Sequence, residues 1–341
     1  MDLKKRIKYE SRKKTPWDKK ENRTPMQEFI LNRHNEQYAA KHPTLTDTGE
    51  SELINSYIPE ECPHCTSISF KLNGYTDNRL QRYKCSNCKQ TFTSITRTIF
   101  DGHKISLSEW VEYTLNIFRY VSINADSWNN RNAFTTSRYW LEKLFLVLDS
   151  YQQSLFFSEE IWFDETFYSV RNNDIVRTES GGKLRGLSVN QMCIGVVCDK
   201  SKTLCIFEGY GKPSQKNTYT LFKDHIAPGT TIVHDKESAH KKLVKKLELK
   251  SISYDSKELK LLSDKDNPLN RVNRIHYLLK AFLYAHTSFD REKIQDYLNL
   301  FAFVMNPPSH HLEKVEIILD LAFKNPRTLR YRDFYRAKQG I

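Results

Sequence analysis

Glycine is scarce, at 11 residues in 341. No GxGxxG string occurs, and no GxxxxGK followed by Ser or Thr, so the chain offers no Rossmann or Walker phosphate cradle. No apolar run approaches the roughly 18 residues of a membrane span. The basic start MDLKKRIKYESRKK is followed by no apolar stretch, which argues against a secretory signal. Acid is in deficit: 53 Lys and Arg face 41 Asp and Glu, leaving a net charge of +12. A chain this basic is expected to meet a polyanion, most often nucleic acid. Hydrophobic residues make up 39%, enough to bury a core. The length suggests two domains or slightly more, at about 100–200 residues each.

Cysteines number seven, an odd count that argues against a disulfide framework and for a reducing cytoplasm. Four form two CxxC pairs, Cys62/Cys65 and Cys85/Cys88, separated by nineteen residues. Each CxxC turn presents two thiolates, and two such turns complete the tetrahedron that zinc prefers. Residues Lys71 to Tyr75 suit a hairpin joining the knuckles. The expected site is structural, because four thiolates leave no open position for water. His64 is not expected to be a ligand. Lys71, Arg79, Arg82, Lys84 and Lys89, with Tyr75, Tyr83 and Phe92, fit nucleic-acid contact around the ribbon. The plainer alternative is a ribbon that only packs against its neighbours. Cys193, Cys198 and Cys205 lie in apolar stretches and read as small buried hydrophobes.

The chain divides into a basic arm and linker (1–57), the zinc ribbon (58–100), a helical DNA-binding segment (101–157), a catalytic domain (158–306) and a basic helical tail (307–341). Residues 1–25 carry ten basic and four acidic residues, either a phosphate-contacting arm or a plain solvated tail. One helix is expected over 26–40. Leu107, Trp110, Val111, Leu115 and Phe118 recur at helical spacing. A polar break follows over Ser122–Arg131. A second helix then carries Phe134, Tyr139, Leu141, Leu144, Phe145 and Leu148, capped by Thr135 or Thr136. This outline fits a helix-turn-helix whose second helix enters a major groove, with Arg138 and Lys143 at exposed positions. A plain helical linker would share the pattern. Arg327, Arg330, Arg332 and Arg336 add a basic tail, read either as DNA contact or as an ordinary surface helix.

The segment EIWFDETFYSV reads as a strand with Asp164, Thr166 and Tyr168 on one face. A carboxylate in so apolar a strand is costly without a compensating partner. Segments 191–199 and 203–210 form a hairpin turning at Lys200–Lys202. A helix near 217–227 follows, then the strand TTIVHD, which ends in Asp235. Either aspartate alone reads equally well as a turn or cap residue; together they suggest a divalent-metal site. The pair Asn267-Pro268 signals a helix start. Its apolar positions are Val272, Ile275, Leu278, Leu279, Phe282 and Leu283, while Asn273, Tyr277 and Lys280 share the opposite, polar side.

Taken in order, CPHC…CSNC, TFTSITRTIFDGHKISLSEW, WFDETF, VHDKESAH and NRIHYLLKAFLYAHTSFDREKIQDYLNLFAFVMN resemble the DDE-type insertion-sequence transposases of the "IS fifteen-ninety-five" family, whose catalytic domain is also called ISXO-two-like. The resemblance covers about residues 58–305. It implies an α/β (α+β) chain with an RNase H-like catalytic domain behind a zinc ribbon and a helix-turn-helix-like segment. It implies Asp164 and Asp235 as carboxylates for magnesium or manganese. The third acidic position of related transposases falls on Asn273, and Lys280 fits the lysine of the Asp-Asp-Asn-Lys branches. Asparagine offers an oxygen but no charge. Either the third ligand is therefore weak, or Asp266 or another acid assists. The implied activity is metal-dependent cleavage of element ends and strand transfer into target DNA. The implied partners are double-stranded DNA and a second copy of the chain, at the bacterial nucleoid. Two other readings remain: an inactive, domesticated DNA-binding regulator, and a nuclease that cuts but never joins.

Overall fold

The computed structural model describes residues 23–41, 49–102, 107–129, 133–259, 261–286, 289–325 and 327–334. Helix α1 (Pro25–Lys41) is followed by α2 (Glu50–Ser56). Most of the expected basic arm lies outside the described residues, as does Arg336. A three-stranded antiparallel sheet then forms the ribbon from β1 (Phe70–Tyr75), β2 (Gln81–Cys85) and β3 (Thr91–Phe92). The expected hairpin contains Lys71–Tyr75 in its first strand and turns at Thr76–Leu80. The ladder slips between Leu72 and Tyr75, where Gly74 takes φ 69°. A left-handed residue at an irregularity is a glycine role. Tyr83 and Phe92 are the ribbon's core, not a nucleic-acid surface.

Three helices follow: α3 (Leu107–Phe118), α4 (Ile123–Asn129) and α5 (Phe134–Leu148). The buried Glu50 carboxylate accepts from Leu107 N at 2.7 Å and Ser108 N at 3.1 Å, so α2 caps α3. The expected polar break is mostly the helix α4. Its Asp126 turns inward and accepts from Asn116 Nδ2 and Ser137 Oγ, both at 3.0 Å. A helix anchored through a buried carboxylate leaves no apolar rhythm in the sequence. Trp110 stacks on Trp140 at 5.1 Å, and these two indoles join α3 to α5.

Lys143 requires a correction. It is fully buried rather than exposed, and its ammonium donates to the Ile99 carbonyl. The Tyr139 hydroxyl likewise donates to the Leu329 carbonyl, and its ring packs against Tyr331 and Phe334. The segment before α3 and residues 329–334 thus cover this side of α5. Its first turn stays accessible, with Phe134 and Thr135 exposed and Arg138 partly so. No threonine caps it: the cap position is Ala133, without a side-chain hydrogen bond.

The main sheet comprises β4 (Ile161–Ser169), β5 (Gln191–Cys198) and β6 (Thr203–Tyr210). After α6 (Gln215–Phe222) come β7 (Thr231–Asp235), α7 (Lys241–Lys246) and β8 (Lys250–Tyr254). The order is β6-β5-β4-β7-β8, with β5 antiparallel to both neighbours and β4, β7 and β8 mutually parallel. Strand β5 is buried almost throughout, as a central strand must be. Cys193, Cys198 and Cys205 are buried, and burial pushes the Cys198 thiol up to about 12.

After α8 (Ser256–Leu259) come the helices α9 (Asn270–Ala285), α10 (Ile294–Met305) and α11 (His311–Lys324). The helix starts later than Asn267-Pro268 signals: α9 begins at Asn270 with Leu269 at the cap position, and Asn267 Oδ1 accepts from Leu269 N at 2.8 Å in the turn that precedes it. Side-chain amides close the edge of β6: Gln152 bonds both Cys205 backbone groups, and Asn306 bonds both of Thr203. Paired in this way, the edge presents less free backbone to another strand. One apolar core fills the space between β5, α3, α5 and α9 to α11, and a second lies on the sheet's other face under α6 and α7. Helix α11 joins the first core through Val315, Ile318 and Ala322 rather than lying as a free basic tail. No described helix is long and apolar enough to cross a membrane.

Candidate metal and carboxylate sites

The four knuckle cysteines converge. Cys62 and Cys88 sulfurs lie 3.7 Å apart, and Cys65 and Cys85 sulfurs 3.6 Å. A tetrahedron of ~2.3 Å zinc–sulfur bonds has edges of about 3.8 Å. The group therefore has the shape of a structural zinc site. Burial pushes the Cys85 thiol up, but N–H groups of Cys88 and Asn87 outweigh it and bring it down to about 6. Thr66 and Lys89, each just past its knuckle, take φ 56° and 61°. Arg82 is partly exposed and Lys84 and Lys89 are exposed on the same small domain.

The second site sits on the main sheet. Phe163 pairs with His234 in the parallel ladder, so Asp164 and Asp235 come next, level with one another and on the same face. Burial, then the Asp235 and Glu165 charges, push Asp164 up to about 7. Burial also raises Asp235, although Glu237 N donates to its Oδ1 at 2.9 Å. Two carboxyls held above their usual range, both by desolvation and Asp164 also by the Asp235 charge, are a place where a divalent cation would be stabilised.

Helix α9 packs over that face. His276 Nδ1 lies 4.0 Å from Asp164 Oδ2, and its buried Nε2 has no hydrogen-bond partner. Burial and the Lys280 charge push His276 down to about 4, so it faces Asp164 as a neutral ring. His276 stands three residues after Asn273 and four before Lys280, which puts all three on one side of the helix. Asn273 is exposed, Lys280 is partly buried, and Asp266 is exposed in the loop before α9, bonded to Ser263. His276 was legible in principle, since it continues the buried stripe through Val272 and Leu279.

The opposite face of β4 carries a group that residue spacing did not reveal. Glu165 Oε1 lies 2.9 Å from His240 Nε2, His240 Nδ1 2.9 Å from His234 Nδ1, and His234 Nε2 2.8 Å from Ser251 Oγ. Burial opposes protonation of His240, but Glu165 overrides it and raises its pKa. Burial and the His240 charge push His234 down to about 4. In its protonated form His240 donates to both neighbours, and His234 then donates onward to Ser251. Glu208 completes the cluster: burial pushes it up to about 7, and Thr218 Oγ1 donates to it at 2.5 Å. Gly195 makes this possible, since a Cβ there would fall 2.4 Å from Glu208 Oε1 and 2.7 Å from the Phe222 ring. His234, Asp235 and His240 also bring ligand atoms within 4.8 Å of one another. No protein-family model matches this chain, and no curated protein matches it.

Proposed function

We propose that this chain is a DDE-type DNA transposase that binds the ends of an insertion element, cuts them and joins them to target DNA. The observation that carries this reading is the levelled pair Asp164 and Asp235 on neighbouring parallel strands, facing the helix of Asn273 and Lys280. The sheet order, with three antiparallel strands followed by two that run parallel to the first, is compatible with an RNase H-like catalytic domain.

Magnesium or manganese held by Asp164 and Asp235 would activate the attacking oxygen and steady the leaving one. Asn273 would lend an oxygen from the open side of α9. Lys280 would meet a phosphate beside the scissile bond. His276, kept neutral, would fix the Asp164 carboxyl without neutralising it. Exposed Lys84 and Lys89, partly exposed Arg82, and Arg138 on the accessible first turn of α5 would hold duplex DNA, while buried Lys143 would not. Cutting two ends together would call for at least a dimer, working at the nucleoid in the cytoplasm.

A second reading is a DNA-binding regulator without catalysis. It is favoured by one observation: α9 brings His276, not an acid, to Asp164, and the third position is the exposed Asn273. The deciding assay combines labelled element ends, supercoiled target and magnesium. Cleavage and joining support the transposase, cleavage alone a nuclease, and binding alone the regulator. Binding should fall steeply with salt as counterions are released.

A further inference from the structure

Beside the carboxylate pair, a cleft of about 460 Å³ opens between the end of β4 and α9. Sites for small ligands occupy about 300–1,000 Å³. Its lining includes Lys280, Arg171 and Arg291, with Tyr168 and Tyr284. No acid lines it among the described residues. Tyr284 is 63% exposed, so its ring offers a free face. That ring is backed by Tyr168 at 5.6 Å, and Tyr168 is covered by the Arg291 guanidinium at 5.1 Å. Arg171 is fixed by the Phe289 carbonyl at 2.6 Å and by Asp290 at 3.6 Å.

We propose that this cleft binds one unpaired nucleotide of the DNA strand, its base stacked on Tyr284 and its phosphate held by Arg171 and Lys280. The assignment rests on the reading of the chain as a DNA-processing protein and names what that site recognises. Cations around an open aromatic face match the two halves of a nucleotide, and base stacking tolerates any sequence. A paired base hides its face, so a concave cleft of this size selects an unstacked one. The position agrees: Tyr168 lies four residues past Asp164 on the same face of β4, about 13 Å along the strand. A nucleotide here would sit a short way from the phosphate being cut and hold the strand open beside it.

The test uses the full chain without magnesium and a five-thymidine oligonucleotide carrying 5-iodouracil at its centre. Irradiation followed by peptide mapping should place the adduct on Tyr284 or Tyr168. Fluorescence anisotropy should show Tyr284→Ala binding the single strand about tenfold more weakly, with Tyr284→Phe retaining affinity. Duplex binding should be unchanged in both variants. Adducts confined to other surfaces, or equal single-strand affinity for Tyr284→Ala, would overturn the assignment. Because the assay asks for no cleavage, a chain that binds single strands through Tyr284 yet never cuts DNA would fail the catalytic reading and leave this one standing.

Discussion

Glu165 and His240 form a buried ion pair, 2.9 Å from carboxylate to imidazole, with side chains 4% and 0% exposed. The pair lies directly behind Asp164, on the other face of the same strand. His240 also stacks on Phe163 at 4.4 Å and reaches His234, so it ties β4 to β7 where the two aspartates stand level. Removing His240 leaves the Glu165 carboxylate sealed from water without its partner, whereas removing Glu165 lets the buried imidazole shed its proton and leaves its Nε2 unpaired. His240→Ala should cost about 3–5 kcal/mol of stability, and Glu165→Ala about 1–3 kcal/mol. Urea unfolding curves read this directly, and a loss below about 1 kcal/mol for both variants would contradict the pairing.

Asp164→Ala and Asp235→Ala act differently. They relieve a repulsion, so the fold should hold or gain slightly in stability. Strand cleavage should fall by about a thousandfold, the scale of several kcal/mol of lost transition-state stabilisation. Full magnesium-dependent cleavage by either variant would remove it from the proposed catalytic pair.

The ribbon makes a separate prediction. Zinc content by mass spectrometry should be one ion per chain, and Cys62→Ser or Cys85→Ser should abolish it. Binding of structural zinc to such a domain carries about 10–16 kcal/mol of apparent free energy. A chelator should therefore expose the 58–100 region to protease while the main sheet stays protected. Protection of the ribbon in metal-free protein would show that its small core suffices.

Burial pushes Lys143 down to about 7 in the folded chain, whereas an unfolded lysine titrates near ~10.4. Between those values the unfolded chain binds the extra proton, so this residue makes stability rise with pH, by at most about 1.4 kcal/mol per unit. Lys143→Met removes that rise. Its stability relative to wild type should therefore worsen from pH 7 to pH 9. A constant difference across that range would mean Lys143 keeps its ordinary proton affinity when folded.

The same lysine shows where sequence reading reached its limit. The knuckles were legible because four thiols at fixed spacing have few uses. The strand faces were legible because side chains alternate: that rule alone puts Asp164 and Tyr168 on one face, the one α9 covers. Lys143 was not, because its cover comes from Ile99, and that of its neighbour Tyr139 from Leu329, Tyr331 and Phe334. Helical periodicity reports one buried stripe and cannot see a second one made by distant chain. Helix α4 escaped for a related reason, since its anchor is the carboxylate of Asp126. The Glu165–His240–His234–Ser251 chain joins three strands and a turn, and no local pattern announces it.

The ladder from Trp162↔Cys198 to Ser169↔Gln191 runs without a bulge. It therefore works as a parity code: odd positions build the support and even positions carry the proposed chemistry. Any substitution leaves that code readable, but a single residue inserted between Ile161 and Asp164 inverts it. Such an insertion would retain all 341 amino acids, yet bury Asp164 where His240 waits for Glu165 and turn Glu165 toward His276.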